Sequence, residues 1–174
     1  THENPFHYLA RHAISIAVAT GVAFVTYKVS LNIWFRNTFS LWLLTIGLLA
    51  AVLVVGSEVN GSTRWIRLAG FTFQPTEVAK VMMAIFTADY VVRRAEEVRS
   101  HWKGLLRLGG IMAITVGLII AEPDLGATVV IVLMMLGIFF LAGAPPIQFG
   151  FFLGAIVTAI VSLIVFEPYR FQRL

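Results

Sequence analysis

No cysteine occurs in the 174 residues. Disulfides and thiolate metal sites are excluded, and the redox compartment leaves no mark. Charge is also scarce. Asp, Glu, Lys and Arg make up 13% of the chain, about half of what a soluble domain carries. There is no Walker or dinucleotide glycine motif and no G-x-S-x-G elbow, so the corresponding nucleotide and hydrolase chemistries lack their motifs. His2, His7, His12 and His101 lack ligand spacing, so no metal site is assigned to them. The start, Thr1 to Pro5, has no initiating Met and no basic stretch ahead of an apolar one, so it is not a signal peptide. The sequence is expected to be a piece of a longer protein, cut at both ends.

What is present is hydrophobic. Apolar residues make up 59% of the chain, and the mean hydropathy is +0.87. They come in runs and not in the alternation of a half-buried surface. A bilayer is therefore the expected solvent. A helix needs about 20 residues to cross a ~30 Å hydrocarbon core. Six stretches qualify, some marginally, near 13–35, 39–56, 76–92, 105–121, 125–143 and 147–166. Spanning segments must satisfy their own backbone hydrogen bonds, and the period-two alternation of a β-barrel is absent. The fold class predicted is all-α, a polytopic integral membrane helix bundle.

The net charge of +4 is small, and its placement matters more than its size. The densest basic connection is 93–107, with Arg93, Arg94, Arg99, Lys103 and Arg107. The positive-inside rule makes it cytoplasmic. By alternation the polar 57–74 loop, the Glu122–Gly126 turn and both chain ends face outside. Arg36–Thr38 and Ala144–Pro146 face inside. Arg64 and Arg67 oppose the rule weakly. They either anchor the interface with Trp65 or bind an anionic headgroup, because arginine forks match phosphate oxygens.

Ionisable groups inside membrane helices are costly and are functional candidates by default. The third span opens Gln74-Pro75-Thr76-Glu77-Val78-Ala79-Lys80. Pro75 suits a helix start, with Thr76 or Gln74 near the cap. Glu77 and Lys80, three apart, share a face. They are an ion pair that seats the helix or, with Arg64 on the same outer side, part of a pocket for a phosphorylated ligand. Asp124 can cap the next helix and can also face the cavity, as a cation ligand or a partner of Lys80; the roles are compatible. Lys28 is expected to snorkel. Asp89 and Arg93, four apart, are expected to pair locally. Glu167 and Arg170 mark a helix end around Pro168. Gly109-Gly110 suits close helix packing.

At these residues the chain resembles a known family. Gly56-Ser57-Glu58-Val59-Asn60-Gly61-Ser62-Thr63-Arg64-Trp65-Ile66, followed by Phe73-Gln74-Pro75-Thr76-Glu77-Val78-Ala79-Lys80, is similar to the signature of the SEDS family (shape, elongation, division and sporulation). Glu122-Pro123-Asp124-Leu125-Gly126 resembles its second motif, usually written with Gln in place of Glu122. Phe140–Ala144 and Glu167-Pro168-Tyr169-Arg170 also match. The segment Tyr90–Arg99 favours the cell-division branch over the elongation branch.

The resemblance implies a ten-span fold, of which this chain would be spans two to seven. It implies a peptidoglycan glycosyltransferase of the bacterial cytoplasmic (inner) membrane, working at the division septum on lipid II, the undecaprenyl pyrophosphate-linked disaccharide pentapeptide. Arg64, Glu77, Lys80 and Asp124 fall on family motif positions around the extracytoplasmic cavity. Arg64, Trp65, Gln74, Lys80 and Asp124 are the substrate-binding candidates, and Glu77 and Lys80 the supporting catalytic ones. The family's proposed general base is an aspartate in the large external loop that continues beyond Leu174. The piece alone is therefore expected to be inactive. A divalent cation, Mg or Mn, with Asp124 as a candidate ligand, is implied by the resemblance only. So are the partners: an FtsI-like class B penicillin-binding protein transpeptidase, and FtsQ, FtsB and FtsL. No nucleic acid is expected. Two other classes stay open, a lipid II flippase and a non-catalytic division scaffold. Intramembrane charge near Pro-broken helix ends suits a transporter. No internal repeat supports that class.

Overall fold

The computed structural model describes residues 5–59, 62–68 and 71–166. The chain divides into two units, Thr1–Asn37 and Thr38–Leu174. In the first, α1 (Pro5–Lys28) and α2 (Leu31–Arg36) are separate helices. Ser30, the N-cap of α2, is extended at φ −64° and ψ 142°. The apolar stretch 13–35 is thus interrupted at Val29–Ser30. Lys28 ends α1, its Nζ 5.3 Å from the Phe24 ring centroid.

The second unit is built from α3 (Thr38–Val55), α4 (Pro75–Arg93), the short α5 (Ala95–Ser100), α6 (Trp102–Ala121), α7 (Leu125–Leu141) and α8 (Pro146–Phe166). The helix α4 packs against both α3 and α7, and α6 closes on α7 and α3. Pattern explains why α4 is central. It is the least apolar of the long helices in this unit, yet Ala79, Met83, Phe86, Tyr90 and Val91 are buried along it. Leu49 from α3, Leu105, Leu108 and Met112 from α6, and Ile131, Met135 and Phe139 from α7 complete the core.

The outward faces are equally apolar. Leu43, Leu44, Val54, Leu106, Ile114, Val130 and Leu133 are exposed. Such a surface suits hydrocarbon and not water. The helices α3 and α6 are each long and apolar enough to cross a bilayer. In lipid the apolar faces have no reason to prefer one another, so polar contacts and close packing must hold the helices together. Thr38 Oγ1 donates to Asp89 Oδ2 at 2.8 Å, tying α3 to α4. Trp42 Nε1 donates to Thr115 Oγ1 at 3.1 Å, tying α3 to α6. Tyr90 Oη donates to the Gly104 carbonyl at 3.0 Å, tying α4 to α6. Asp89 also takes Arg93 Nε at 2.7 Å, so the local pair exists and one of its members is shared with α3.

Between α3 and α4 the chain forms a small antiparallel sheet, β1 (Ser57–Val59), β2 (Ser62–Leu68) and β3 (Phe71–Phe73), in that order. The register pairs Ser57 with Trp65 and Ile66 with Phe73. A loop was the expectation for 57–74; the stretch is instead mostly strand, and β2 packs against α3 and α4. The side chain of Arg67, and residues Glu167 to Leu174 with the helix end read there, lie outside the described residues, as do His2 and the side chain of His7.

Candidate functional site

The site forms where α4 begins, α7 begins and β2 passes. Gln74 is the extended N-cap of α4 and Pro75 its first residue. Proline costs nothing there because the first amides of a helix have no intrahelical partner. The Gln74 side chain does not cap its own helix. Its Nε2 donates to Asp124 Oδ2 at 2.8 Å. Thr76 Oγ1 lies 3.5 Å from the same oxygen. Asp124 Oδ1 accepts the Ala127 amide at 3.0 Å and so caps α7. Arg64 Nη1 from β2 lies 3.7 Å from Oδ1. One buried carboxylate therefore joins three elements, with capping and ion pairing on the same side chain.

Lys80 lies one helical turn beyond Thr76, on the same face of α4. Its Nζ is 2.7 Å from Glu77 Oε2. Of the two partners the sequence allowed, Lys80 takes Glu77 and Asp124 takes Arg64. Lys80 is 28% exposed and Glu77 60%, so this pair is half in solvent and contributes little to stability. It keeps an ammonium at the edge of the cluster. Trp65 is half-buried on β2 beside Arg64. All six candidates gather at one end of the α4–α7 pair.

The sequence analysis missed Glu122. It follows the last residue of α6, is wholly buried, and neither carboxylate oxygen has a hydrogen-bond partner among the described residues. Burial, and then the neighbouring Asp124 carboxylate, push its pKa up to about 8. A neutral acid results, close in shape and donor capacity to the glutamine usual at this motif position. The signal was present in the sequence: an acid in an apolar frame, Ala121-Glu122-Pro123. Arg64 Nε is likewise buried without a partner among the described residues.

The donor set does not fit a divalent cation. Both Asp124 oxygens already accept protein donors, and a guanidinium stands beside them. Among the described residues no three His, Asp or Glu side chains converge as a ligand group. What the arrangement can hold is an anion, on Arg64 and Lys80, next to carboxyl groups that orient the cations.

These features define a class: an integral membrane helix bundle with a polar, charge-paired site at one end of its central helices. The profile of the cell cycle protein family of FtsW, RodA and SpoVE matches residues 1–174, and the chain belongs to that family. It is 78% identical over 172 residues to a probable peptidoglycan glycosyltransferase FtsW of Acinetobacter baylyi, covering 99% of this chain and 43% of that protein. It is 42% identical over 171 residues to a probable peptidoglycan glycosyltransferase FtsW of Idiomarina loihiensis, covering 98% and 42%. The crystal structure of Thermus thermophilus rod shape determining protein RodA superposes with a TM-score of 0.73 at 28% identity, over 88% of this chain and 50% of that one. A structure showing the coordination of polymerization and crosslinking by a peptidoglycan synthase complex matches with a TM-score of 0.75 at 28% identity, over 95% and 49%. The resemblance drawn from the motifs at 56–66, 73–80 and 122–126 is borne out. The chain spans a little over two fifths of the length of these curated relatives.

Proposed function

We propose that this chain is the central membrane portion of a septal peptidoglycan glycosyltransferase that polymerises lipid II. The observation that carries this reading is the joining of β2, α4 and α7 by Arg64, Gln74 and Asp124, with Lys80 one turn away. Two cations, each held by a carboxylate, suit a pyrophosphate. In the reaction the 4-hydroxyl of one disaccharide attacks the anomeric carbon of the other chain. A new C–O bond forms, the bond from that carbon to the pyrophosphate oxygen breaks, and the hydroxyl proton goes to a base. That base belongs to the part of the parent protein beyond Leu174. Arg64 and Lys80 bind the pyrophosphate and stabilise the charge it gains on leaving. Glu77 aims Lys80, and Asp124 fixes Arg64.

The site end faces outside the cytoplasm and the 93–107 segment faces the cytoplasm, as the basic residues of that segment favour. The names of the FtsW relatives support the division septum. The synthase-complex match supports a class B penicillin-binding protein as the crosslinking partner. FtsQ, FtsB and FtsL follow from the division branch alone.

The test uses the full-length parent with its cognate transpeptidase and purified lipid II. Lys80→Ala and Arg64→Ala are expected to lower glycan polymerisation at least 100-fold, the scale of losing one contact to developing charge, with the thermal transition retained. Lipid translocation without polymer in the unsubstituted protein overturns the enzyme reading.

A further inference from the structure

A second feature lies at the opposite end of α4 and α7, away from the proposed site. A cleft of about 430 Å³ opens there, lined by Ala88, Val91 and Val92 of α4, Ala95 and Arg99 of α5, and the end of α7 at Ile138–Ala142. That volume is in the range of small-molecule sites. Val91 is buried at its floor, while Val92 and Leu141 at its rim are 76% and 84% exposed. Alanines at 88, 95 and 142 leave the space. The walls are apolar and Arg99 is the one charged lining residue.

Arg99 differs from the neighbouring arginines. Arg93 pairs with Asp89 at 2.7 Å, Arg94 with Glu97 at 2.8 Å and Arg107 with Glu97 at 2.7 Å. No carboxylate stands within ion-pairing distance of Arg99 among the described residues. Its Nε donates to the Ala142 carbonyl at 3.0 Å, at the end of α7. Gly143 follows with φ +85°, and a Cβ there would stand 3.4 Å from Arg99 Nε. The backbone turn therefore grips one edge of the guanidinium. Helix capping explains that edge but leaves the charge without an anion among the described residues. A guanidinium fixed at the rim of an apolar cleft matches a phosphate joined to hydrocarbon.

We propose that the cleft between α4, α5 and the end of α7 binds one anionic phospholipid, its phosphate on Arg99 and an acyl chain over Val91, Val92 and Leu141. That the lipid comes from the inner leaflet follows from the orientation proposed above; the binding itself does not depend on it. The site is independent of Arg64, Lys80 and Asp124.

The full-length parent, purified in detergent, is titrated with phosphatidylglycerol and with phosphatidylcholine, and retained lipids are counted by native mass spectrometry. The expected result is one phosphatidylglycerol held roughly fivefold tighter than phosphatidylcholine, the scale of one basic contact at an anionic surface. The preference should weaken with added salt. Arg99→Gln, which keeps a donor for the Ala142 carbonyl, should abolish the preference, and Arg99→Lys should keep most of it. Ala88→Phe, filling the cleft, should lose both lipids. Equal binding of the two lipids by the unsubstituted protein overturns the proposal. So does Arg99→Gln behaving as wild type, or no retained lipid because another segment of the parent fills the cleft. If Arg99→Gln fails to fold, a salt-independent preference in the unsubstituted protein overturns it. Polymerisation and site-directed labelling of the same preparations fail separately if the proposed activity or orientation is wrong.

Discussion

Asp124 and Glu122 sit two residues apart and are held by opposite means. Asp124 is held by Arg64, Gln74 and the α7 amide. Glu122 has no such partners and keeps its proton. A carboxyl whose folded pKa stands at about 8, against an ordinary 4.5, binds a proton in the folded state that the unfolded chain has released. Stability then falls as pH rises from about 4.5 to 8 and levels off above. Glu122→Gln should remove that penalty, a gain on the order of 3 kcal/mol at pH 7. Thermal unfolding across pH checks it: the gain should vanish near pH 4.5. Asp124→Ala should cost roughly 2–4 kcal/mol, from a lost cap and a stranded guanidinium. Asp124→Asn, itself a good cap, should cost less in the same melts. Sequence spacing found Glu77 with Lys80 because i,i+3 contacts are local. It left the partner of Asp124 open because that choice depends on where β2 returns.

Among the elements, α5 and α6 come close at Gly104. A Cβ at Gly104 would come within 2.8 Å of the Glu97 carbonyl oxygen, which is backbone and cannot step aside. Gly104→Ala should destabilise by about 1–3 kcal/mol. Gly117→Ala on the same helix meets nothing within 4 Å and should be neutral or slightly stabilising by helix propensity; paired thermal melts distinguish the two. Glu97 is also the hub of this corner. Desolvation pushes its carboxyl up, but the Arg107 and Arg94 guanidiniums outweigh that and hold it below its ordinary value. The long helices of the second unit were legible because apolar runs and flanking Pro or polar residues bound them to within a few positions. The sheet was not, although Asn60-Gly61 is a strong hairpin dipeptide. Hydropathy outweighed turn chemistry in a chain this apolar. The break at Val29–Ser30 was hidden for the same reason, since neither residue interrupts an apolar run sharply.

At the scale of the whole molecule, the apolar outer faces of the second unit and the positions of its basic residues make orientation testable. In a parent with any native cysteines replaced, Thr72→Cys and Ser100→Cys, both at exposed positions, should label from opposite sides of the membrane with an impermeant maleimide, Thr72→Cys from the periplasm. Labelling from one side sinks the topology. The overall class was readable from composition because the bilayer imposes long runs that survive any detail of packing. The site's assembly was not, because it depends on contacts between residues some fifty positions apart, Gln74 with Asp124. That separation bears on biogenesis. Helices leave the translocon in order, so Gln74 and Arg64 emerge well before the carboxylate that will hold them. Until α7 arrives, the arginine is an unmatched cation at the membrane edge. The site is therefore complete only when the last of its three elements has been made.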